Sequence, residues 1–316
     1  MKILANDGIS KNGVTILEKN GFEVITTKVA QEQVANYINQ NGIGVVLVRS
    51  ATKITKDIID ACPDLKIIGR GGVGMDNIEV EYATSRGIRV INTPAASSES
   101  VAELVFAHLF SGVRFLHDSN RNMPLEGDTH FDGLKKAYAN GLELRGKTLG
   151  IVGMGRIGQA TAKIALALGM RVIATDTILS EVAIELHFFD GQSVTTTLTS
   201  QSLESVWKES DFISLHVPAQ NGYLISDPEL ALMKEGVGIV NCARGGIIDE
   251  VALIKALDSG KVLFAGLDVF ESEPNPEITI LMHPKISLTP HIGAATAEAQ
   301  DRISTELATQ IIEILG

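Results

Sequence analysis

The amino-acid sequence predicts an α/β protein built from two doubly wound, parallel-sheet domains. Three observations carry that prediction. Short β-branched runs alternate with helix-like segments over the first ninety residues, and a second alternating series runs from Thr148 to about Pro290. The length, 316 residues, fits two domains at ~100–200 residues each.

In order along the chain, residues 3–5 read as a first buried strand. The opening is not a secretory leader, because its apolar run meets Asn6 and Asp7 at once. A helix over 10–20 stops at Gly21, and 22–26 forms the next strand. A polar helix around 31–40 leads to the strand 45–48, and another helix ends near Cys62-Pro63 before the strand 65–69. A glycine-rich turn, a helix ending near Gly87 and the strand 88–91 complete the first series. Ser97-Ser98-Glu99-Ser100 is a helix-start cluster, followed by a long apolar helix over 101–114. The polar stretch 120–145 has weak periodicity and reads as loop with room for one short helix. Residues 294–315 read as one helix, and no internal repeat or low-complexity tract interrupts the chain.

Composition narrows the function. Lys and Arg total 27 against 38 Asp and Glu, a net charge of −11, and no basic tract marks a nucleic-acid surface. No stretch approaches the ~18 consecutive apolar residues of a membrane span. Cys62 and Cys242 make no disulfide framework and have no metal-ligand spacing, which points to a reducing cytoplasm and no metal centre.

Gly153-Met154-Gly155-Arg156-Ile157-Gly158 matches the Gly-x-Gly-x-x-Gly pattern. The apolar strand 148–152 precedes it, and Ile157, Ile164 and Leu168 follow at helical spacing with Gly169 as the stop. The strand 171–174 comes next, and Asp176 stands at its end, 18 residues beyond Gly158. That context turns a common glycine pattern into a dinucleotide fingerprint of the Rossmann type. The first glycine makes the turn, the second admits the pyrophosphate, and the third packs helix on strand. The helix N-terminus faces the phosphates with unpaired N–H groups. A carboxylate at Asp176 accepts from a ribose diol and repels a 2′-phosphate, so NAD is expected rather than NADP.

Three later strands end in reactive side chains: Arg244 in Asn241-Cys242-Ala243-Arg244-Gly245-Gly246, Asp268 and Glu273 in Asp268-Val269-Phe270-Glu271-Ser272-Glu273-Pro274, and His291 in Thr289-Pro290-His291-Ile292-Gly293. In a parallel sheet the strand carboxyl ends gather along one edge, where ligands bind. Histidine titrates near working pH, a carboxylate orients it, and an arginine fork matches a substrate carboxylate.

With these motifs the chain resembles the D-2-hydroxyacid dehydrogenases, and within them the short-form phosphoglycerate dehydrogenases. The similarity runs through Val48-Arg49-Ser50-Ala51-Thr52, residues 69–77, Asn92-Thr93-Pro94, the fingerprint and all three downstream segments. It implies His291 as acid/base, Glu273 as its partner, and Arg244 as the grip on the substrate carboxylate and C2 oxygen. NAD is expected at Val73, Gly153, Gly155, Arg156, Ile157, Gly158, Asp176, Val217, Pro218, Cys242, Ala243, Arg244, Asp268, His291 and Gly293. Arg49, Arg70, Gly71 and Gly72 are expected at the substrate. The resemblance further implies a Rossmann NAD-binding domain, 97–292, inserted into a flavodoxin-like substrate domain, 1–96 and 293–316. A homodimer through the NAD-binding domains is also implied.

The expected reaction is NAD-dependent oxidation of D-3-phosphoglycerate. A glyoxylate or hydroxypyruvate reductase is the alternative, and an NADH-sensing scaffold the reading from another class. Two features depart from the pattern. Residues 122–141 lack the tryptophan common there in relatives, and Lys135-Lys136 only roughly occupies an expected basic position. The chain ends at Gly316, so no serine-binding regulatory domain is expected. His216 at a strand end and His108, His117, His130, His187 and His283 carry no partnering pattern.

Overall fold

The central strands of the first series form because short apolar runs are buried on both faces, while the edge strands Glu23–Ile25 and Arg89–Asn92 carry Glu23 and Arg89 to solvent. In the computed structural model, which describes residues 1–316, β1 (Lys2–Ala5) is followed by α1 (Lys11–Lys19) and β2 (Glu23–Ile25). Ser10 caps α1 by accepting from Gly13 N. A short 3-10 turn (Gln31–Gln33) opens α2 (Val34–Asn41), which is followed by β3 (Ile43–Val48), buried at every position. Then come α3 (Lys56–Ala61), β4 (Ile67–Arg70), α4 (Val80–Ser85) and β5 (Arg89–Asn92). The sheet order is β2-β1-β3-β4-β5, all parallel, the doubly wound order of flavodoxin-like folds.

The chain continues through α5 (Ser98–Val113), α6 (Leu116–Glu126), α7 (Phe131–Ala137), β6 (Thr148–Val152), α8 (Arg156–Ala167) and β7 (Arg171–Thr175). An antiparallel hairpin, β8 (Glu181–His187) and β9 (Ser193–Thr199), precedes α9 (Leu203–Glu209) and β10 (Phe212–Leu215). α10 (Asp227–Leu232), β11 (Val237–Asn241), α11 (Glu250–Ser259), β12 (Val262–Leu267), α12 (Ile278–Met282), β13 (Ile286–Leu288) and α13 (Ala297–Leu315) complete it. The second sheet is also parallel, in the order β13-β12-β11-β10-β6-β7. Its direction reverses between β6 and β10, the switch point where α/β sheets open a crevice.

The chain divides into two compact units, Met1–Ser100 with Ala294–Gly316, and Val101–Gly293. In the first, Leu4, Ile38, Val46 and Ile68 fill one side of the sheet. Ile3, Val45, Leu47 and Ile67 fill the other with Leu307 and Ile311 of α13. α13 thus returns the end of the chain to the sheet that the start built. In the second unit, one core layer gathers Ile213, Ile239, Leu253 and Ala265, and the other Leu109, Leu149, Ile151 and Phe264.

Two elements differ from expectation. The stretch read as loop forms both α6 and α7. α6 buries none of its residues and contains Pro124, so it has no apolar period to read. Its partners are tertiary: Tyr138 donates to Asp118 at 2.8 Å and accepts from Asn122 at 2.7 Å. The hairpin also interrupts the expected βα alternation after β7. Its inward side chains Ile184 and Leu198 are buried in the second unit's core, and Phe189 at the tip is fully exposed.

Candidate active site

The glycine turn after β6 passes a direct steric test for a dinucleotide. Gly153 has φ +102°, and a Cβ there would lie 2.5 Å from His216 O. A Cβ on Gly158 would lie 2.0 Å from Gly153 O, so only glycine lets α8 close on the turn. Gly155, the N-cap of α8, faces open space with nothing within 4 Å of an added Cβ. The backbone is therefore folded tightly on one side and bare on the other, where a pyrophosphate would have room at the helix N-terminus beside Arg156 and Ile157. The residues fit NAD.

Asp176, just beyond β7, braces the glycine turn, a role that sequence reasoning misses. Its Oδ2 accepts from Met154 N at 2.7 Å, and its Oδ1 accepts from Ile178 N at 2.8 Å and Leu179 N at 3.0 Å. Burial acts to raise this carboxyl, but the backbone N–H donors win and hold it below the usual range. Asp176 thus ties the glycine turn to the strand end.

Val217 and Pro218 follow β10, the neighbour of β6, and Cys242 and Ala243 follow β11, the next strand out, so both pairs lie at strand carboxyl ends. Ala243 N donates to Asn241 Oδ1 at 3.0 Å, and Asn241 Nδ2 donates to Arg244 O at 2.8 Å, so the turn bearing Arg244 is held by its own strand. Arg244 Nη1 donates to Ala243 O at 2.6 Å. Burial pushes the Cys242 thiol well up, with Asp268 adding to it, which makes it an inert wall.

The densest bonding lies where β12 and β13 end. His291 Nδ1 and Glu273 Oε2 are 2.8 Å apart, and Glu273 Oε1 accepts from Phe270 N at 3.0 Å. Both carboxylate oxygens are therefore fixed. The two side chains are 37% and 35% exposed, so solvent reaches the pair. His291 holds φ +55°, the left-handed region that costs a side-chain-bearing residue about 1–3 kcal/mol. Asp268, 1% exposed, clamps the backbone beyond it: Oδ1 accepts from Ile292 N and Oδ2 from Gly293 N, each at 2.8 Å. Thr289 Oγ1 donates to Asp268 Oδ1 at 2.6 Å. Burial pushes this carboxyl up, and the three donors and His291 pull it back. A cavity of about 390 Å³ beside the pair is lined by Phe270, Pro274, Pro276, Leu281 and Leu288.

His216 is half-buried and bonds Ser214 Oγ through Nε2 at 2.9 Å, and desolvation of its ring drops it to about 3. It is a neutral structural group.

The remaining expected residues lie in the first unit. Val73 accepts from Asn92 Nδ2 at 2.7 Å through its carbonyl. Arg49 follows β3, and its turn is held by Asp7, whose Oδ2 accepts from Arg49 N at 2.7 Å and Thr52 N at 3.0 Å. Asn77 Nδ2 donates to Arg49 O and Thr52 O. Burial lowers the Arg49 guanidinium, offset by Asp7. The Arg70 side chain fills the space a Cβ on Gly72 would need, with Nη1 at 1.8 Å from that position. A Cβ on Gly71 would stand 3.6 Å from Arg49 Cγ. The Arg49 stem and the Arg70 guanidinium therefore both border one glycine turn.

No group of three His, Cys, Asp or Glu side chains is placed to hold a metal ion, and no helix is long and apolar enough to cross a membrane.

Fold and fingerprint together define an NAD-dependent dehydrogenase. Comparison with known proteins agrees: residues 106–293 match the family described as D-isomer specific 2-hydroxyacid dehydrogenase, NAD binding domain. The hydroxypyruvate reductase of Thermotoga maritima is 43% identical over 321 residues, covering 100% of this chain and 98% of that protein. The D-3-phosphoglycerate dehydrogenase of Methanocaldococcus jannaschii is 41% identical over 318 residues, covering 100% of this chain and 57% of that protein. The chain spans a little over half the length of the phosphoglycerate dehydrogenases it matches. A solved glyoxylate reductase from Paecilomyes thermophila superposes with a TM-score of 0.81 at 28% identity, over 98% of this chain and 94% of that one. The chain belongs to the D-2-hydroxyacid dehydrogenase family.

Proposed function

We propose that this dehydrogenase oxidises D-3-phosphoglycerate to 3-phosphohydroxypyruvate, at the entry to serine biosynthesis. The observation that carries the reading is that Arg49 and Arg70 both border the Gly71–Gly72 turn. Two guanidiniums suit a dianionic phosphate better than an uncharged hydroxymethyl group.

In this reading His291 and Glu273 move the proton. A carboxylate only accepts, so the 2.8 Å bond places a proton on His291 Nδ1 and leaves Nε2 to take the substrate's hydroxyl proton. Glu273 then faces an imidazolium that it stabilises. Arg244 holds the carboxylate and C2 oxygen. NAD, when bound, supplies the hydride acceptor. The glycine turn and Asp176 fix the cofactor's phosphates and ribose, so the reacting carbon is oriented before chemistry. Residues 1–96 with 293–316 would carry the substrate contacts, and 97–292 the cofactor.

A second reading, reduction of hydroxypyruvate or glyoxylate, is favoured by the near full-length identity of 43% with a hydroxypyruvate reductase. Initial rates decide between them. With 3-phosphoglycerate, D-glycerate and D-lactate at equal concentration, the proposal expects the phosphorylated acid to lead, and phosphohydroxypyruvate to lead in reverse. Faster turnover of hydroxypyruvate or glyoxylate than of phosphohydroxypyruvate would establish the second reading.

A cytoplasmic homodimer through the cofactor unit is also proposed. Its support is apolar surface on α5 to α7, where Phe110, Leu116, Leu125 and Phe131 stand 43%, 59%, 75% and 56% exposed.

A further inference from the structure

A second imidazole lies beneath the His291 corner, inside the Val101–Gly293 unit. His108 on α5 is 2% exposed, and both ring nitrogens meet hydroxyls from the end of β13. Nδ1 is 2.9 Å from Ser287 Oγ, and Nε2 is 3.0 Å from Thr289 Oγ1. Ser287 and Thr289 are two residues apart on an extended chain, so they present the same face to one ring. The ring reaches them because β12 has no side chain in its path. A Cβ on Gly266, the register partner of Ser287, would stand 2.5 Å from His108 Cβ and 2.8 Å from its Cγ.

Hydrogen-bond direction makes this a chain with one polarity. Asp268 as a carboxylate only accepts, so the Thr289 hydroxyl proton points to Asp268 Oδ1. The Thr289 oxygen is then an acceptor, and the proton of a neutral His108 sits on Nε2. Burial, with His117 adding to it, holds His108 neutral by dropping it to about 4. The order is His108 Nε2–H to Thr289, Thr289 O–H to Asp268, and Asp268 to the backbone N–H groups of Ile292 and Gly293. Those two amides follow directly on His291, whose left-handed backbone would relax if they were free to turn.

We propose that His108 is a positioning residue for His291. Through Thr289 it fixes the rotamer of Asp268, and through Asp268 it holds the His291–Gly293 backbone in the conformation that aims the imidazole. The proposal rests on His291 being the proton carrier. A histidine that served only the core would stabilise the fold and leave the rate of chemistry alone, and the two roles separate in experiment.

The test measures single-turnover hydride transfer by NADH absorbance, with the fastest 2-oxo acid of the substrate panel, alongside NADH affinity and melting temperature. His108→Leu removes the donor and keeps the bulk, and it should slow hydride transfer by about tenfold to a hundredfold. NADH affinity and KM should stay within about twofold. His108→Gln, which can again donate to Thr289, should recover most of the rate. Thr289→Val cuts the chain one link on and should match His108→Leu. The double variant should lose no more than the worse single one, because both break the same path. Hydride transfer within twofold of the parent in His108→Leu or Thr289→Val overturns the proposal. So does a folded His108→Gln with no recovery, or losses that multiply in the double variant. His291→Ala keeps the two failures apart. Full turnover by His291→Ala removes the reading on which the proposal rests, whereas an inactive His291→Ala beside a fully active His108→Leu removes the positioning role alone.

Discussion

Two turns in this molecule are held by the same device and differ in what surrounds it. In the second unit, Asp268 accepts from the Ile292 and Gly293 amides and the Thr289 hydroxyl. In the first, Asp7 accepts from the Arg49 and Thr52 amides and the Thr52 hydroxyl. Each carboxylate thus organises the loop after a parallel strand, one presenting His291 and the other Arg49. Asp268 itself is buried and its network extends inward through Thr289 to His108, while Asp7 is half-buried. All seven histidines lie in residues 101–293 and none in the first unit. In the proposed reaction, proton chemistry falls to the turn with the buried brace, where geometry is over-determined, and anion binding to the Asp7 turn, where charge matters more than exact placement.

The largest effect should come from the Asp268 turn. His291→Ala should reduce turnover by ~10²–10⁴ while NADH affinity, followed by fluorescence titration, changes little. A variant that loses NADH and turnover together would show that the turn serves cofactor binding, and the contrast between the two turns would collapse.

Next comes the Asp7 turn. Arg49→Ala should raise KM for 3-phosphoglycerate by about tenfold to a hundredfold, the loss of a charge-assisted phosphate pair, with a smaller effect on D-glycerate. Arg244→Ala should instead damage both acids alike, since both carry the carboxylate and C2 oxygen. Equal losses on both acids from Arg49→Ala would make Arg49 a carboxylate or structural residue. Raised salt should mimic part of the Arg49 defect, because the turn is partly solvated.

A third carboxylate, Asp176, stands between the two in character. Asp176→Ala should weaken NAD about tenfold, weaken NADP far less, and also lower the melting temperature through loss of the Met154, Ile178 and Leu179 bonds. Unchanged melting would show those bonds to be dispensable and leave only the ribose role.

The smallest effect is a pH dependence of stability. Folded His108 titrates near 4 and His216 near 3, against about 6.5 in an unfolded chain. As pH falls through about 6.5 the unfolded state binds protons that the folded state refuses. Their contribution is complete above about 6.5 and is lost toward the folded values, at ~1.4 kcal/mol per pH unit for each histidine. Urea midpoints measured from pH 7.5 down to 5 should fall, and His108→Leu should flatten the slope. A slope unchanged by that variant would show that His108 already carries its proton in the fold.

Much of the site is readable from local pattern. The fingerprint is a run of six residues whose glycines answer to steric demands within the same turn, so Gly153 and Gly158 need no distant information. His291 and Glu273 are identifiable because strand ends in a parallel sheet share an edge. α6 is not readable, since a helix that buries nothing leaves no apolar period. The hairpin leaves a signal in the alternation of Val182, Ile184 and Leu186, yet the expectation of a βα repeat masks it. His108 is not readable at all. Its partner Thr289 lies 181 residues away, and an imidazole in an apolar helix looks the same whether it is idle or bonded.

By itself, then, the order of residues determined the parallel α/β class, the NAD turn and the chemical types at the strand ends. These follow from short-range physics: burial period, backbone freedom at glycine and the dipole at a helix start. Only the tertiary structure decided which carboxylate holds which loop, that Asp176 braces the glycine turn it follows, and that Asp268 is tied to α5. Those are choices among side chains of equal chemistry. A carboxylate accepts from any amide within reach, and reach is set by how the strands and helices pack.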